Sequence, residues 1–189
     1  MINNKKVLAL IPARGGSKGI KNKNIIDICG KPLISYTIDA AKKSKYIDDI
    51  VLSTDSKEIA EVAMKYGAEV PFYRPEEYAS DTSKTIDAVV CAIDMLRELG
   101  REYDILVLLQ PTQPLRIAED IDQSLELFMK KGCKGLVSVS EVSESPLLMR
   151  VIDEELAMTK LFDVNSTCRR QDMPQYYKVN GCIYINSIS

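Results

Sequence analysis

The chain has 189 residues, 46% of them hydrophobic and 28% charged, with a formal net charge of −2; that suffices for one domain with a sizeable core and gives no overall basic field to recruit nucleic acid or an anionic membrane. It contains no histidine, which excludes Ser-His-Asp and Cys-His catalysis, imidazole acid–base work and histidine-held zinc. Cys29, Cys91, Cys133, Cys168 and Cys182 are odd in number with no Cys-x-x-Cys pair, so they read as reduced thiols, not as a zinc site or a disulfide framework.

In chain order, Met1 to Lys6 is too short and polar for a signal peptide, and no apolar run approaches the roughly 20 residues that span a bilayer. The chain therefore reads as soluble and cytoplasmic. Val7–Ile11 predicts an apolar strand running into a loop, 12–24, in which Gly15, Gly16 and Gly19 are interleaved with Arg14, Lys18, Lys21 and Lys23. Glycine lets the backbone approach a ligand closely and turn its N–H groups inward, and the cations add full charges. That chemistry suits a polyphosphate. The loop is neither a Walker A sequence nor Gly-x-Gly-x-x-Gly, and a solvated turn is its plain alternative.

Helical spacing of Leu33, Ile34, Ile38 and Ala41 predicts a helix from Leu33 to Lys43. Ile50–Leu52 reads as a short strand ending in Ser53-Thr54-Asp55-Ser56. Asp55 or Ser56 would cap the next helix, marked by Ile59, Val62, Ala63 and Tyr66 and stopped by Gly67. Glu69–Tyr73 is expected to be a third strand. Ile86, Val89, Val90, Ile93 and Leu96 mark a helix that Gly100 ends. Ser83 and Thr85 stand at its start, where capping would be a sufficient role. Ile105–Leu109 is an apolar run of the kind a central parallel strand shows. Ile121, Leu125 and Phe128 mark another helix, and Gly135–Ser140 another strand. Beyond about residue 141 the segments Leu147–Ile152 and Tyr176–Ile185 are shorter-ranged, more polar and strand-like.

This alternation predicts an α/β fold with a mostly parallel sheet, helices on both faces and right-handed crossovers. One domain, 1–189, is expected, with residues 141–175 as a β-rich excursion serving as lid or dimerisation arm. Ligands of open α/β sheets sit beyond the carboxyl ends of the strands. The loops there are 12–24, 53–56, 74–85 and 110–116, and three of the four carry basic residues.

The string Ile-Pro-Ala-Arg-Gly-Gly-Ser-Lys-Gly at 11–19, followed by Lys23-Asn24, resembles the signature of the CMP-sialic acid synthetases (acylneuraminate cytidylyltransferases). Other stretches match in the same order: Gly30-Lys31-Pro32-Leu33-Ile34, Ser53-Thr54-Asp55, Arg74-Pro75 with Ala79-Ser80-Asp81-Thr82-Ser83, Leu109 to Arg116, Arg170 to Pro174, and Asn180-Gly181-Cys182-Ile183-Tyr184. The resemblance covers nearly the whole chain. It implies a Rossmann-like nucleotidyltransferase sheet, a homodimer, and transfer of CMP from CTP to the anomeric hydroxyl of a sialic-acid-type nine-carbon 2-keto sugar acid, with release of pyrophosphate. Such chemistry needs positioning and charge neutralisation, which Arg, Lys and Mg²⁺ can supply without histidine.

Carried onto matching positions, the resemblance makes Arg14, Lys18 and Lys23 catalytic. The CTP-binding set becomes Ala13, Arg14, Gly15, Lys18, Asn24, Arg74, Ser83 and Thr85, with Arg74, Ser83 and Thr85 on the cytosine. It places Gln110, Arg170, Asn180 and Tyr184 on the sugar side, Arg170 meeting the sugar carboxylate. Plain alternatives stand beside these roles: Tyr184 as strand packing, Gln110-Pro111 as a turn, and Arg116 as a helix-end residue outside the catalytic set. Legionaminic and pseudaminic acid synthetases share the first loop, so the nine-carbon sugar is left open. Kdo synthetases share the fold but arrange the loop glycines differently.

Mg²⁺ (or Mn²⁺) is the implied cofactor. The family's metal-binding Asp-x-Asp lies beyond the Asn-Gly-x-Ile-Tyr strand, and no aspartate follows Asp172 here. The metal ligands are therefore unassigned, and the C-terminal part of the family domain is expected to lie outside this chain. A second reading follows: a CTP-binding protein of the same fold with little or no turnover.

Overall fold

The six residues of β1 (Val7–Pro12) are apolar and the first five fully buried, because both faces of the strand are covered. The computed structural model describes every residue except 17, 18, 81, 163–168 and 189. After β1 come a small hairpin of β2 (Asp27–Ile28) and β3 (Lys31–Pro32), then α1 (Leu33–Lys43), β4 (Asp49–Ser53), α2 (Lys57–Tyr66), α3 (Thr85–Glu98), β5 (Ile105–Leu108), α4 (Ala118–Lys131) and β6 (Gly135–Val142). A second hairpin, β7 (Arg150–Ile152) and β8 (Met158–Lys160), precedes the long β9 (Tyr176–Ser187).

The main sheet has the order β4-β1-β5-β9-β6. β1 pairs parallel with β4 and β5, aligning Leu10 with Val51 and Leu108, whereas β9 runs antiparallel to β5, with Val107 opposite Ile185. The sheet is thus mostly parallel, as the alternating pattern predicts. Period-two alternation divides the strand residues between two cores. Val7, Ala9, Ile11, Leu52, Val107 and Ile185 pack with Ile34 and Ile38 of α1, Ile59 of α2, and Ile121, Leu125 and Phe128 of α4. Leu8, Leu10, Val51, Leu106 and Leu108 pack with Val89, Ala92 and Leu96 of α3.

Ser56 is the residue that caps α2, its Oγ accepting from Ile59 N at 3.4 Å, and Gly67 ends the helix at φ 99°. Three local expectations need correction. Glu69 makes a single parallel bridge with Val51 and no strand follows, since Pro71 has no N–H to continue a ladder. Leu147–Ile152 divides into a 3₁₀ turn, Pro146–Leu148, and β7. On α3, Ile86 and Val90 are 60% and 50% exposed, while Ala88, Val89, Ala92 and Leu96 form the buried face.

The chain forms two compact units, Met1–Val137 with Gly181–Ser189, and Ser138–Asn180. In the smaller unit Asn180 bridges two serines, its Oδ1 accepting from Ser138 Oγ at 2.6 Å and its Nδ2 donating to Ser140 Oγ at 2.9 Å. Leu148, Val151, Ile152, Met158, Phe162, Tyr177 and Val179 are all exposed there. Among the described residues no helix is long and apolar enough to cross a membrane.

Candidate active site

The carboxyl end of β4 organises the loops around it. Ser53, the last residue of the strand, accepts Ala13 N on its carbonyl at 3.0 Å and holds Arg74 twice, through Nε to Oγ at 3.0 Å and Nη2 to the carbonyl at 2.7 Å. Arg74 is only 8% exposed. Burial pushes the pKa of its guanidinium down, Asp55 opposes that shift and Arg14 adds to it. The charge stays, because a guanidinium titrates so far above neutrality.

The glycine loop is fastened to the same strand end. Gly15 N donates to Asp55 Oδ1 at 2.9 Å, and a Cβ on Gly15 would lie 3.1 Å from the Cβ of Ser56. Only a glycine gives that approach without displacing the capping serine. Buried Asn24 donates from Nδ2 to the Arg14 carbonyl at 3.0 Å, and Arg14 reaches across from Nη1 to the Ser80 carbonyl at 2.9 Å. The loops 12–24 and 74–85 are tied together by that last bond.

Between them and the end of β5 lies a cleft of ≈ 670 Å³, within the range of small-molecule sites. Of the residues singled out from sequence, Arg14, Lys23, Asn24, Arg74, Ser83, Thr85 and Gln110 line it. Among the described residues of that lining stand four cations, Arg14, Lys23, Arg74 and Lys84, and no Asp or Glu. Ser83 does not cap α3: its Oγ donates to the Glu77 carbonyl at 2.7 Å and accepts from Ser80 Oγ at 2.6 Å. The N-cap is Lys84, without a side-chain cap bond, and Thr85 is the first helical residue.

Other expected residues lie elsewhere. Ala13 is 1% exposed and belongs to the core, so only its backbone is positioned to shape the loop. Gly15 acts through its bond to Asp55 and is outside the cleft lining. Tyr184 packs half-buried against the α3 core, as its strand alternation allows. Asn180 belongs to the smaller unit. Arg170 opens a 3₁₀ turn, Arg170–Asp172, and its side chain and all of Lys18 lie outside the described residues.

Several lining residues escape sequence reasoning, namely Ile20, Tyr78, Ser80, Lys84 and Thr112. Lys84 carried a signal, since it stands between Ser83 and Thr85 in a loop already assigned to the ligand. Arg116 stands one residue before Ile117, the N-cap of α4, but does not cap the helix: its Nη1 and Nη2 donate to the carbonyls of Gln110 and Cys182 and to Thr37 Oγ1. A divalent cation takes carboxylate oxygens. Among the described residues the lining carries none, and no group of three or more His, Cys, Asp or Glu suited to a metal occurs. The residues described do not fit a protein-held Mg²⁺.

Residues 8–186 match the Cytidylyltransferase family. CMP-N,N'-diacetyllegionaminic acid synthase of Legionella pneumophila is 43% identical over 95% of this chain and 77% of its own length. Pseudaminic acid cytidylyltransferase of Campylobacter jejuni is 39% identical over 96% of this chain and 78% of its own. N-acylneuraminate cytidylyltransferase of Escherichia coli O18:K1:H7 is 33% identical over 95% of this chain and 42% of its own. In fold, the chain resembles the solved CMP:2-keto-3-deoxy-manno-octonic acid synthetase complexed with CTP, with a TM-score of 0.71 and 19% identity, covering 97% of this chain and 74% of that one.

Proposed function

The chain belongs to the cytidylyltransferase family and, within it, to the CMP-sugar synthetases of the sialic-acid type, and from that premise we propose that it transfers CMP from CTP to the anomeric hydroxyl of a nine-carbon 2-keto sugar acid. The single observation that carries this reading is the cleft at the strand ends, whose described lining residues include four cations and no carboxylate. A triphosphate brings about four negative charges, and such a lining offsets them where water is partly excluded.

In the reaction proposed, the anomeric oxygen attacks the α-phosphorus as the bond to the bridging oxygen of the β-phosphate breaks. Pyrophosphate leaves and the hydroxyl proton is released. Arg14, Lys18 and Lys23 take the developing charge on the leaving group. Arg74 gives Nε and Nη2 to Ser53, which keeps its Nη1 amino group for the acceptor edge of cytosine, with Ser83 and Thr85 beside the base. Gln110 and Tyr184 are proposed as sugar contacts, and for Arg170 and Asn180 the same role rests on the family resemblance alone.

Higher identity to the legionaminic and pseudaminic enzymes than to the N-acylneuraminate enzyme supports an acceptor of the first two types. Mg²⁺, or Mn²⁺ in its place, is proposed as the counter-ion that accompanies CTP, and none of the steps above passes through it. A homodimer is proposed as well, supported by the exposed apolar side chains of the smaller unit. The absence of a carboxylate among the described residues of the lining favours one second reading, a protein that binds CTP with little turnover.

The test is product formation. The protein, CTP and Mg²⁺ are incubated with legionaminic, pseudaminic or N-acetylneuraminic acid, and CMP-sugar and pyrophosphate are measured together. Equal amounts of the two products with one of the acids support the transferase. CTP binding without either product supports the second reading.

A further inference from the structure

Resting on the transferase reading, we propose that Arg116 is a positioning residue for the sugar acceptor, acting through Gln110. Arg116 is 4% exposed. Its Nη1 donates to the Cys182 carbonyl at 2.6 Å and its Nη2 to Thr37 Oγ1 at 2.8 Å. The same two nitrogens reach the Gln110 carbonyl at 3.4 and 3.1 Å. One guanidinium therefore joins α1, the carboxyl end of β5 and β9.

No carboxylate pairs with it among the described residues, and its Nε is buried without a hydrogen-bond partner. Burial pushes its pKa down. A buried guanidinium with no counter-ion is costly, and an apolar residue would fill the same volume at less cost. What arginine adds is direction, because its planar fork fixes the carbonyls it holds. Neither carbonyl belongs to a helix, so the bonds do not serve as a cap.

The Gln110 side chain is constrained from its other end. A Cβ on residue 181 would lie 3.1 Å from Gln110 Oε1, and Gly181 has φ +75°. The amide of Gln110 thus rests against bare backbone, while Arg116 holds its carbonyl. Gln110 lines the cleft and Arg116 does not. A displaced Gln110 would disturb the acceptor, since misplacement of about 1 Å can cost on the order of a hundredfold in rate. The nucleotide would bind as before.

The experiment is a pair of double-mutant cycles, Arg116→Lys and Gly181→Ala, each with and without Gln110→Ala. CTP affinity is measured by calorimetry, and KM and kcat are measured for the sugar acid. In both single variants CTP affinity is expected to stay within about twofold, while kcat/KM for the acid falls about tenfold or more. Gln110→Ala is expected to add little to either variant, because all act through one side chain. Additive losses, or a parallel loss of CTP affinity, overturn the inference. If Arg116→Lys does not fold by circular dichroism, the cycle is repeated with Thr37→Val, which removes the acceptor of Arg116 Nη2, and is read in the same way. A wild-type protein that makes no CMP-sugar overturns the transferase reading itself, an outcome distinct from an active wild type with additive cycles.

Discussion

Arg74 and Ser53 are joined twice, by Nε to Oγ at 3.0 Å and by Nη2 to the carbonyl at 2.7 Å. A buried cation in the ligand cleft is thereby anchored to the final residue of a core strand, so the orientation of its remaining amino group is set before any ligand arrives. Removing Ser53 Oγ strands the Arg74 Nε–H in a buried place. Ser53→Ala is expected to destabilise the fold by about 1–3 kcal/mol in urea titrations. Arg74→Lys, which lacks the planar fork, is expected to erode the preference for CTP over UTP. An unchanged preference in Arg74→Lys would remove Arg74 from the base pocket.

Gly15 is set by contact rather than by backbone angle. A methyl group there meets Ser56 at 3.1 Å, and Ser56 caps α2. Gly15→Ala is expected to loosen that cap, at about 0.5–2 kcal/mol, and to weaken CTP binding at the same time. Melting temperature and CTP affinity should fall together. A loss of affinity with full stability would place Gly15 against the nucleotide itself.

Lys23 lines the cleft and is only partly buried. Lys23→Ala is expected to leave the melting temperature within about 1–2 °C, as for surface substitutions of about 0.5 kcal/mol. CTP affinity should fall and become less sensitive to salt. Equal salt dependence in the variant and the wild type would mean Lys23 does not meet the triphosphate.

At the opposite, amino end of β4 sits an acid-sensitive network. Burial pushes the Asp49 carboxyl up, but the Tyr103 hydroxyl at 2.7 Å, Lys6 at 3.2 Å and Arg101 at 3.4 Å outweigh it and hold it below its ordinary 3.8. A depressed carboxyl contributes stability that is complete above the ordinary value and lost as pH falls through the folded one. Asp49→Asn is expected to cost on the order of 1 kcal/mol at pH 7 after solvent screening and to flatten the loss of stability below about pH 4. An identical pH profile in the variant would contradict this. Half-buried Tyr103, whose partial burial and bond to Asp49 raise its own pKa, remains neutral throughout that range.

The core strands Val7–Ile11 and Ile105–Leu109 were legible in sequence because both faces of each are buried, which leaves an unbroken apolar run; which face each residue takes, as Leu8 and Ala9 divide, was not. Helix starts and stops at Ser56 and Gly67 were legible for the same local reason. The α3 stripe was less so. Val89 and Leu96 are buried, but Ile86 and Val90 are exposed, and periodicity alone does not say where the sheet ends beside a helix. The cleft's loops could be named from strand ends, yet the bonds that shape them could not. Ser83 and Thr85 stand where capping residues stand, and only the bond from Ser83 to the Glu77 carbonyl separates the two roles. Arg116 belongs to the same class, since its partners Thr37 and Cys182 are far from it along the chain.

The most direct test of the central claim, a cytidine-nucleotide site at the carboxyl ends of β1, β4 and β5, is the melting temperature with CTP, UTP, ATP or GTP, each with Mg²⁺. A ligand at 100 times its Kd stabilises by about 2.7 kcal/mol, or about 5–10 °C for a chain of this size. A shift of that order is expected with CTP, a much smaller one with the other three, and loss of the selectivity in Arg74→Lys. Equal shifts with all four nucleotides, or none with CTP, would contradict it.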